Sequence, residues 1–254
     1  IIHDDFILHA ASILDFDDTA NSPWRYNCTI LNPPYAKINS ASTTRRALRQ
    51  LGVETTNLYT GFLAIAIQQL EIDGQLVAIT PRSFCNGTYF KPFREFFLQR
   101  SALCRVHVFE SRKNAFKDDS VLQENIIFHA KKGAIAPQNV RISTGLDPSG
   151  IDSTSRVIPY AQMILPADPN LFIRLPVSAE DSDLATRIRS LPASLQDLGI
   201  SVSTGKVVDF RAKESLRAVP EEGSAPLIYP GHFKSGLVAW PNLLGKKPNA
   251  LTIN

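Results

Sequence analysis

Four consecutive residues, Asn32-Pro33-Pro34-Tyr35, concentrate the chemistry that this chain offers. The carboxamide of Asn32 and the main-chain carbonyl of Pro33 are two acceptors suited to the two hydrogens of one amino group. Hydrogen bonds of that kind draw a ring-conjugated nitrogen towards tetrahedral geometry and free its lone pair for attack. The two prolines hold the loop rigid and extended, because each fixes its own φ and restricts the residue before it. Tyr35 offers a face on which a flat ring can stack. No histidine stands beside these residues, and the nitrogen needs no base before it attacks. The same four residues can also serve as a polar turn between strand and helix, so the surrounding pattern decides.

That pattern puts them at a strand end. Asn27-Cys28-Thr29-Ile30-Leu31 is a short apolar run stopped by Pro33-Pro34, as a buried strand would be. From Leu58 to Leu70, the residues Tyr59, Leu63, Ala66, Ile67 and Leu70 recur at helical spacing. Glu71-Ile72-Asp73-Gly74 then ends the helix, with Gly74 suited to a positive φ. Gln75 to Thr80 makes a second strand closed by Pro81, and Phe90 to Leu98 carries aromatic residues on one helical face. Val106-His107-Val108-Phe109 and Asn125 to Ala130 make two more strands. The alternation predicts an α/β fold, a mainly parallel sheet covered on both faces. No helical stretch separates the last two strands, which suits an antiparallel pair. In such sheets the ligand site lies at the carboxyl ends of the parallel strands, where Asn32 falls.

Beyond Gly133 the texture changes. Residues 134–185 are rich in Pro, Ser and Asp, with short β-like pieces such as Val140-Arg141-Ile142. Asp181 to Leu191 reads as a short helix with Ser182 as its cap. From Leu198 short β-like runs alternate with Gly and Pro, and a boundary near residue 186 fits the change. The 44% apolar content supports real cores and excludes a wholly disordered chain. No apolar run approaches the roughly 18–20 residues of a membrane span, and the acidic start is no signal peptide. Cys28, Cys85 and Cys104 lack metal-ligand spacing and read as buried thiols in a reducing, cytoplasmic setting, with no metal. The missing initiator methionine suggests a piece of something larger. Charge is unevenly spread: residues 1–185 hold 18 Lys and Arg against 19 Asp and Glu, residues 186–254 hold 9 against 5. The basic tail is compatible with a phosphate-contacting surface.

In this context Asn32-Pro33-Pro34-Tyr35 resembles the catalytic motif of amino-methyltransferases that use S-adenosylmethionine. The neighbouring segments are similar to those of gamma-class DNA N6-adenine methyltransferases of restriction–modification systems, the Taq-type enzymes and their larger relatives. The resemblance implies a Rossmann-like methyltransferase sheet and a methyl passed to the amine of an adenine flipped out of double-stranded DNA. His3-Asp4-Asp5-Phe6 stands where the family has an Asp-Phe motif, which implies that Asp5 binds the amine of the cofactor's adenine and Phe6 packs on its ring. Asn57 to Leu63 matches the helix after the catalytic loop and makes Phe62 the candidate for the ring's other face. Phe116, in Asn114-Ala115-Phe116-Lys117, matches an aromatic that packs on the extruded adenine opposite Tyr35. A base held between the two would recover stacking on the order of 1–3 kcal/mol per contact. Arg112, Lys113 and Lys117 around it suit a backbone phosphate. Ser201 to Lys206 and Tyr229-Pro230-Gly231-His232 resemble pieces of target-recognition domains, where Lys206, Arg211, Lys213, Arg217 and Lys234 could touch phosphate or base edges.

The family's glycine-rich cofactor loop and ribose-binding acid have no counterpart here. The resemblance therefore implies a catalytic domain over 1–135 whose N-terminal strands are missing, a connecting segment at 136–185, and the start of a mixed α/β or β-rich target-recognition domain at 186–254. The expected partners are double-stranded DNA and the remainder of a larger restriction–modification polypeptide, without a membrane. Two alternatives use the same loop differently: methylation of an RNA adenine or a protein glutamine amide, or a DNA-binding fragment inactive for want of the cofactor loop.

Overall fold

The computed structural model describes residues 3–16, 25–109, 124–133, 135–145, 153–202, 205 and 207–252. They fall into two compact units, Ile1–Ser190 and Leu191–Asn254. The first unit is a mixed α/β domain. It opens with helix α1 (Phe6–Phe16), for which the sequence pattern predicts no element, and strand β1 (Tyr26–Leu31). Helices α2 (Thr43–Gln50) and α3 (Leu58–Gln69) follow, then the long strand β2 (Leu70–Pro81). Leu63 to Ile67 of α3 are all buried. A helix that is apolar nearly all round belongs inside a core.

The junction from α3 to β2 differs from the expected turn. Asp73, not Gly74, takes the positive φ of 66°, which its short polar side chain tolerates. Gly74 is needed for another reason: a Cβ there would stand 2.8 Å from the Glu71 carbonyl oxygen. Past the short α4 (Ser83–Asn86), α5 (Lys91–Arg100) runs into β3 (Ser101–Phe109), and β4 spans Asn125–Lys132. Residues 139–159, read from sequence as part of a connecting segment, add β5 (Asn139–Gly145) and β6 (Thr154–Pro159) to the sheet. A four-residue helix α6 (Tyr160–Met163) and then α7 (Ala179–Arg189) complete the unit. The cap of α7 is Ser178 and not Ser182: its hydroxyl accepts from the Asp181 N–H, and the Asp181 carboxylate accepts from the Ser178 N–H.

The six strands lie in the order β1-β2-β4-β3-β5-β6. Strands β1, β2, β3 and β5 run one way, with β4 and β6 against them. The pair β3–β4 is antiparallel, as expected for strands with no helix between them. Register shows how the two faces differ. Ala78, Phe128, Val106 and Ile142 form one row across the sheet and are buried. Phe84, Phe93 and Phe97 from the helices pack on that face, the Phe84 and Phe97 rings each 5.8 Å from Phe128. The neighbouring row on the opposite face is Ile30, Val77, His129, Arg105, Arg141 and Val157. There Ile30 is 78% exposed and Val157 55% exposed. Among the described residues the sheet is thus covered on one face, not on the two that strand–helix alternation predicts.

The second unit is built on short strands. In its small sheet β11 (Ala250–Thr252) lies between β7 (Leu216–Arg217) and β8 (Ser224–Pro226), while β9 (Phe233–Lys234) and β10 (Leu237–Val238) form a hairpin. Asn249 holds the unit together. Its Oδ1 accepts from His232 Nε2 at 2.9 Å and from the Asn242 N–H at 2.7 Å. Its Nδ2 donates to the carbonyls of Ala218 at 2.7 Å and Asn242 at 3.2 Å. The tautomer of buried His232 follows, since Nδ1 accepts from the Tyr229 N–H and the proton must sit on Nε2. Asn249→Ala strands four polar partners at once and is expected to destabilise this unit by about 2–4 kcal/mol, read as an earlier thermal transition.

Candidate active site

Asn32 follows β1 directly, at the carboxyl end of a strand parallel to β2. Its side chain is exposed, Pro33 is buried and Tyr35 is half-buried. The Tyr35 hydroxyl lies 3.2 Å from Asn32 Oδ1 and 3.3 Å from the Ile79 carbonyl oxygen, so one proton is shared between two acceptors. Burial raises the phenol above its ordinary range, which keeps it protonated and a donor. The bond to Oδ1 fixes which end of the Asn32 carboxamide meets Tyr35. Behind it, the ring of Tyr59 stands edge-on to Tyr35 at 6.2 Å, and the Tyr59 hydroxyl meets Ser83 Oγ at 2.9 Å. Two main-chain bonds clamp the loop to the start of α3, Leu58 N–H to the Ala36 carbonyl and Ile38 N–H to the Thr56 carbonyl, each 2.8 Å.

Asn32 and Pro33 line a cleft of about 670 Å³ between α1, β1 and α3. Phe6 and Phe62 line it too, their rings stacked with centroids 4.8 Å apart at 25°. A flat ring sandwiched between them needs about 7 Å, twice an aromatic contact distance, so the two would have to part to admit one. Asp5 caps α1, its Oδ1 accepting the Leu8 N–H at 2.9 Å. The acid that lines the cleft is its neighbour Asp4, which also lies 3.4 Å from His9 Nδ1. His9, Ala10 and Ile13 join Phe6 on the cleft side of α1. Sequence reasoning missed them for want of that helix, although their spacing at three, four and seven residues from Phe6 is the signal that finds them.

The thiols correct the reading of three buried cysteines. Cys28 is exposed and lines the cleft, Cys104 is intermediate, and Cys85 is buried, with its pKa pushed up to about 12. Phe116, Arg112, Lys113, Lys117 and Lys206 lie outside the described residues. In the second unit Arg211 is exposed and stands 5.7 Å from the Phe210 ring, and Lys234 is exposed on the β9–β10 hairpin. Arg217 is engaged by Glu221 and by the carbonyls of Glu214 and Leu216. Among the described residues no group of three His, Cys, Asp or Glu could hold a metal, and no helix is long and apolar enough to cross a membrane.

Residues 7–116 match the family model described as Eco57I restriction-modification methylase. Over its whole length the chain is 45% identical to the Type II methyltransferase M.PstI of Providencia stuartii, covering 50% of that protein. It is 44% identical to the Type II methyltransferase M.BsuBI of Bacillus subtilis, again covering 50% of it. The chain thus spans about half the length of the curated relatives it matches. Among solved structures, the type IIG restriction endonuclease BpuSI superposes with a TM-score of 0.42 at 16% identity, over 52% of this chain and 19% of that one. On the sequence matches, residues 7–116 are similar to the Eco57I restriction-modification methylase family, and the whole chain is similar to one half of two Type II methyltransferases.

Proposed function

We propose that this chain carries the catalytic loop and the start of the target-recognition region of a DNA adenine-N6 methyltransferase, acting in a bacterial restriction–modification system. The observation that carries the proposal is the Asn32 carboxamide, oriented by Tyr35 at the carboxyl end of β1 and opening on the cleft that holds Phe6 and Phe62. Asn32 Oδ1 and the Pro33 carbonyl accept the two hydrogens of the adenine amine, and the nitrogen lone pair is left pointing at the methyl donor. Tyr35 supplies the stacking face for the flipped base. In this reading Phe116 is the opposing ring, and Lys113, Lys117, Lys206, Arg211 and Lys234 are the DNA contacts.

The cleft suits an adenosyl group: two aromatic rings, the carboxylate of Asp4, and room for a nucleoside. S-adenosylmethionine, when bound, supplies the electrophilic methyl on its sulfonium. Asp5 has committed one carboxylate oxygen to Leu8 and keeps the other for the adenine amine of the cofactor. Phe62→Ala is expected to weaken cofactor binding about tenfold by calorimetry, with much less change in kcat at saturating cofactor.

The test uses the full-length polypeptide with labelled S-adenosylmethionine and DNA, followed by digestion to nucleosides. Label in N6-methyladenine supports the reading. Label in cytosine, or transfer only to RNA or to a protein glutamine, overturns it.

A further inference from the structure

A second cleft, of about 610 Å³, lies at the carboxyl ends of β2 and β3 and shares no lining residue with the first. Arg82 and Phe109 form its floor, residues 172–177 its far wall, and Ala185 and Arg189 of α7 close one side. Phe172, Leu175 and Val177 give an apolar wall, while Arg82, Arg174 and Arg189 bring positive charge. Two carboxylates are present as well. Glu124 pairs with Arg82, and Asp181 is engaged by the Ser178 N–H at 3.1 Å. Arg174 is held by Asp168 at 2.7 Å. Arg189 donates to Thr186 Oγ1 at 3.3 Å, and among the described residues it pairs with no carboxylate.

The far wall is irregular in backbone yet firmly tethered. Ile173 N–H bonds the Cys85 carbonyl at 2.9 Å and Arg174 N–H the Met163 carbonyl at 2.8 Å. Arg94, 0% exposed, donates to the carbonyls of Asn170, Phe84 and Gly87 at 2.9, 3.0 and 2.7 Å, with its guanidinium 5.0 Å from the Phe172 ring centre. Burying a guanidinium is costly, so it marks a wall whose position matters.

We propose that this cleft seats a second nucleotide of the DNA, a neighbour of the methylated one, with its base on Phe172 and Leu175 and its phosphate at Arg174 and Arg189. This rests on DNA being the substrate. A stacking wall beside a guanidinium without a carboxylate partner is the pairing that a base and its phosphodiester require. The turn at 82–87 that floors the cleft also carries Ser83, which bonds Tyr59, which in turn abuts Tyr35. The cleft and the catalytic loop are thus joined through Ser83 and Tyr59.

The experiment uses the full-length polypeptide and a duplex bearing the site that it methylates. Arg189→Gln is expected to weaken duplex binding about tenfold and to reduce the slope of log Kd against log salt by about 1, with cofactor affinity unchanged. Ala185→Trp, which fills the cleft, tests the base contact. Wild type should bind less tightly when one flanking nucleotide is made abasic, by about tenfold, and the Trp variant should not respond to that change. An unchanged salt slope in Arg189→Gln, or equal responses to the abasic duplex in wild type and Ala185→Trp, overturns the second-nucleotide site. A wild-type protein that methylates no DNA overturns the underlying reading instead.

Discussion

Asn32→Ala in the full-length polypeptide is expected to lower kcat for methyl transfer by about 10²–10³-fold, while the affinities for cofactor and duplex stay within about threefold of wild type. The size follows from losing one of two acceptors placed where charge develops on the amine. The variant is structurally clean, because the Asn32 side chain is exposed and Tyr35, once released, still has the Ile79 carbonyl oxygen at 3.3 Å. Asn32→Asp keeps an acceptor at the same place and should retain more activity than the alanine variant. Turnover of Asn32→Ala within tenfold of wild type would remove the amine-acceptor role. A parallel collapse of cofactor binding would instead make Asn32 a structural residue of the first cleft.

Arg94→Met is expected to cost about 3–5 kcal/mol of stability in the first unit. Methionine nearly matches the apolar stem of arginine, so the loss is confined to the guanidinium. Three carbonyls, the buried one of Phe84 and the part-buried ones of Gly87 and Asn170, would then have no donor from this side chain. For a unit of this size each kcal/mol lowers Tm by about 2–4 °C, which puts the drop near 10 °C in calorimetry. Arg94→Lys should fall between the two, since a lysine ammonium lacks the fork that reaches carbonyls on two sides. A melting temperature within 2 °C of wild type would show that the wall at residues 168–175 stands without its tether.

The catalytic loop was legible because its signal is local: two prolines after an apolar run stop a strand wherever the rest of the chain goes. Strands β1 to β4 were found for the same reason, their apolar runs being bounded by proline, glycine or charge. What escaped depends on partners distant in sequence. Val140 and Ile142 look like isolated β pieces until Arg105 and His107 are seen to pair with Arg141 and Ser143. The role of Asp4 was hidden because two acids stand side by side, and only the start of α1 decides which of them turns back to cap it. Ser178 and Ser182 are both acceptable caps by residue type, and the contest is settled by Asp181 three residues after Ser178. For Arg94, nothing in its neighbourhood of sequence announces that Asn170 lies within reach.

Strand β1 carries a further consequence, one of local opening. Among the described residues it pairs with β2 alone, and Tyr26 and Ile30 are largely exposed along it. Edge ladders with little apolar cover open at a small fraction of the global unfolding free energy, so in the 254-residue chain by itself β1 amides should exchange with solvent before those of β2 and β4. Asn32 is attached to that edge strand, yet its loop is clamped separately to the start of α3 through Ala36 and Thr56. The reactive carboxamide can therefore hold its place through fluctuations that fray the strand leading into it.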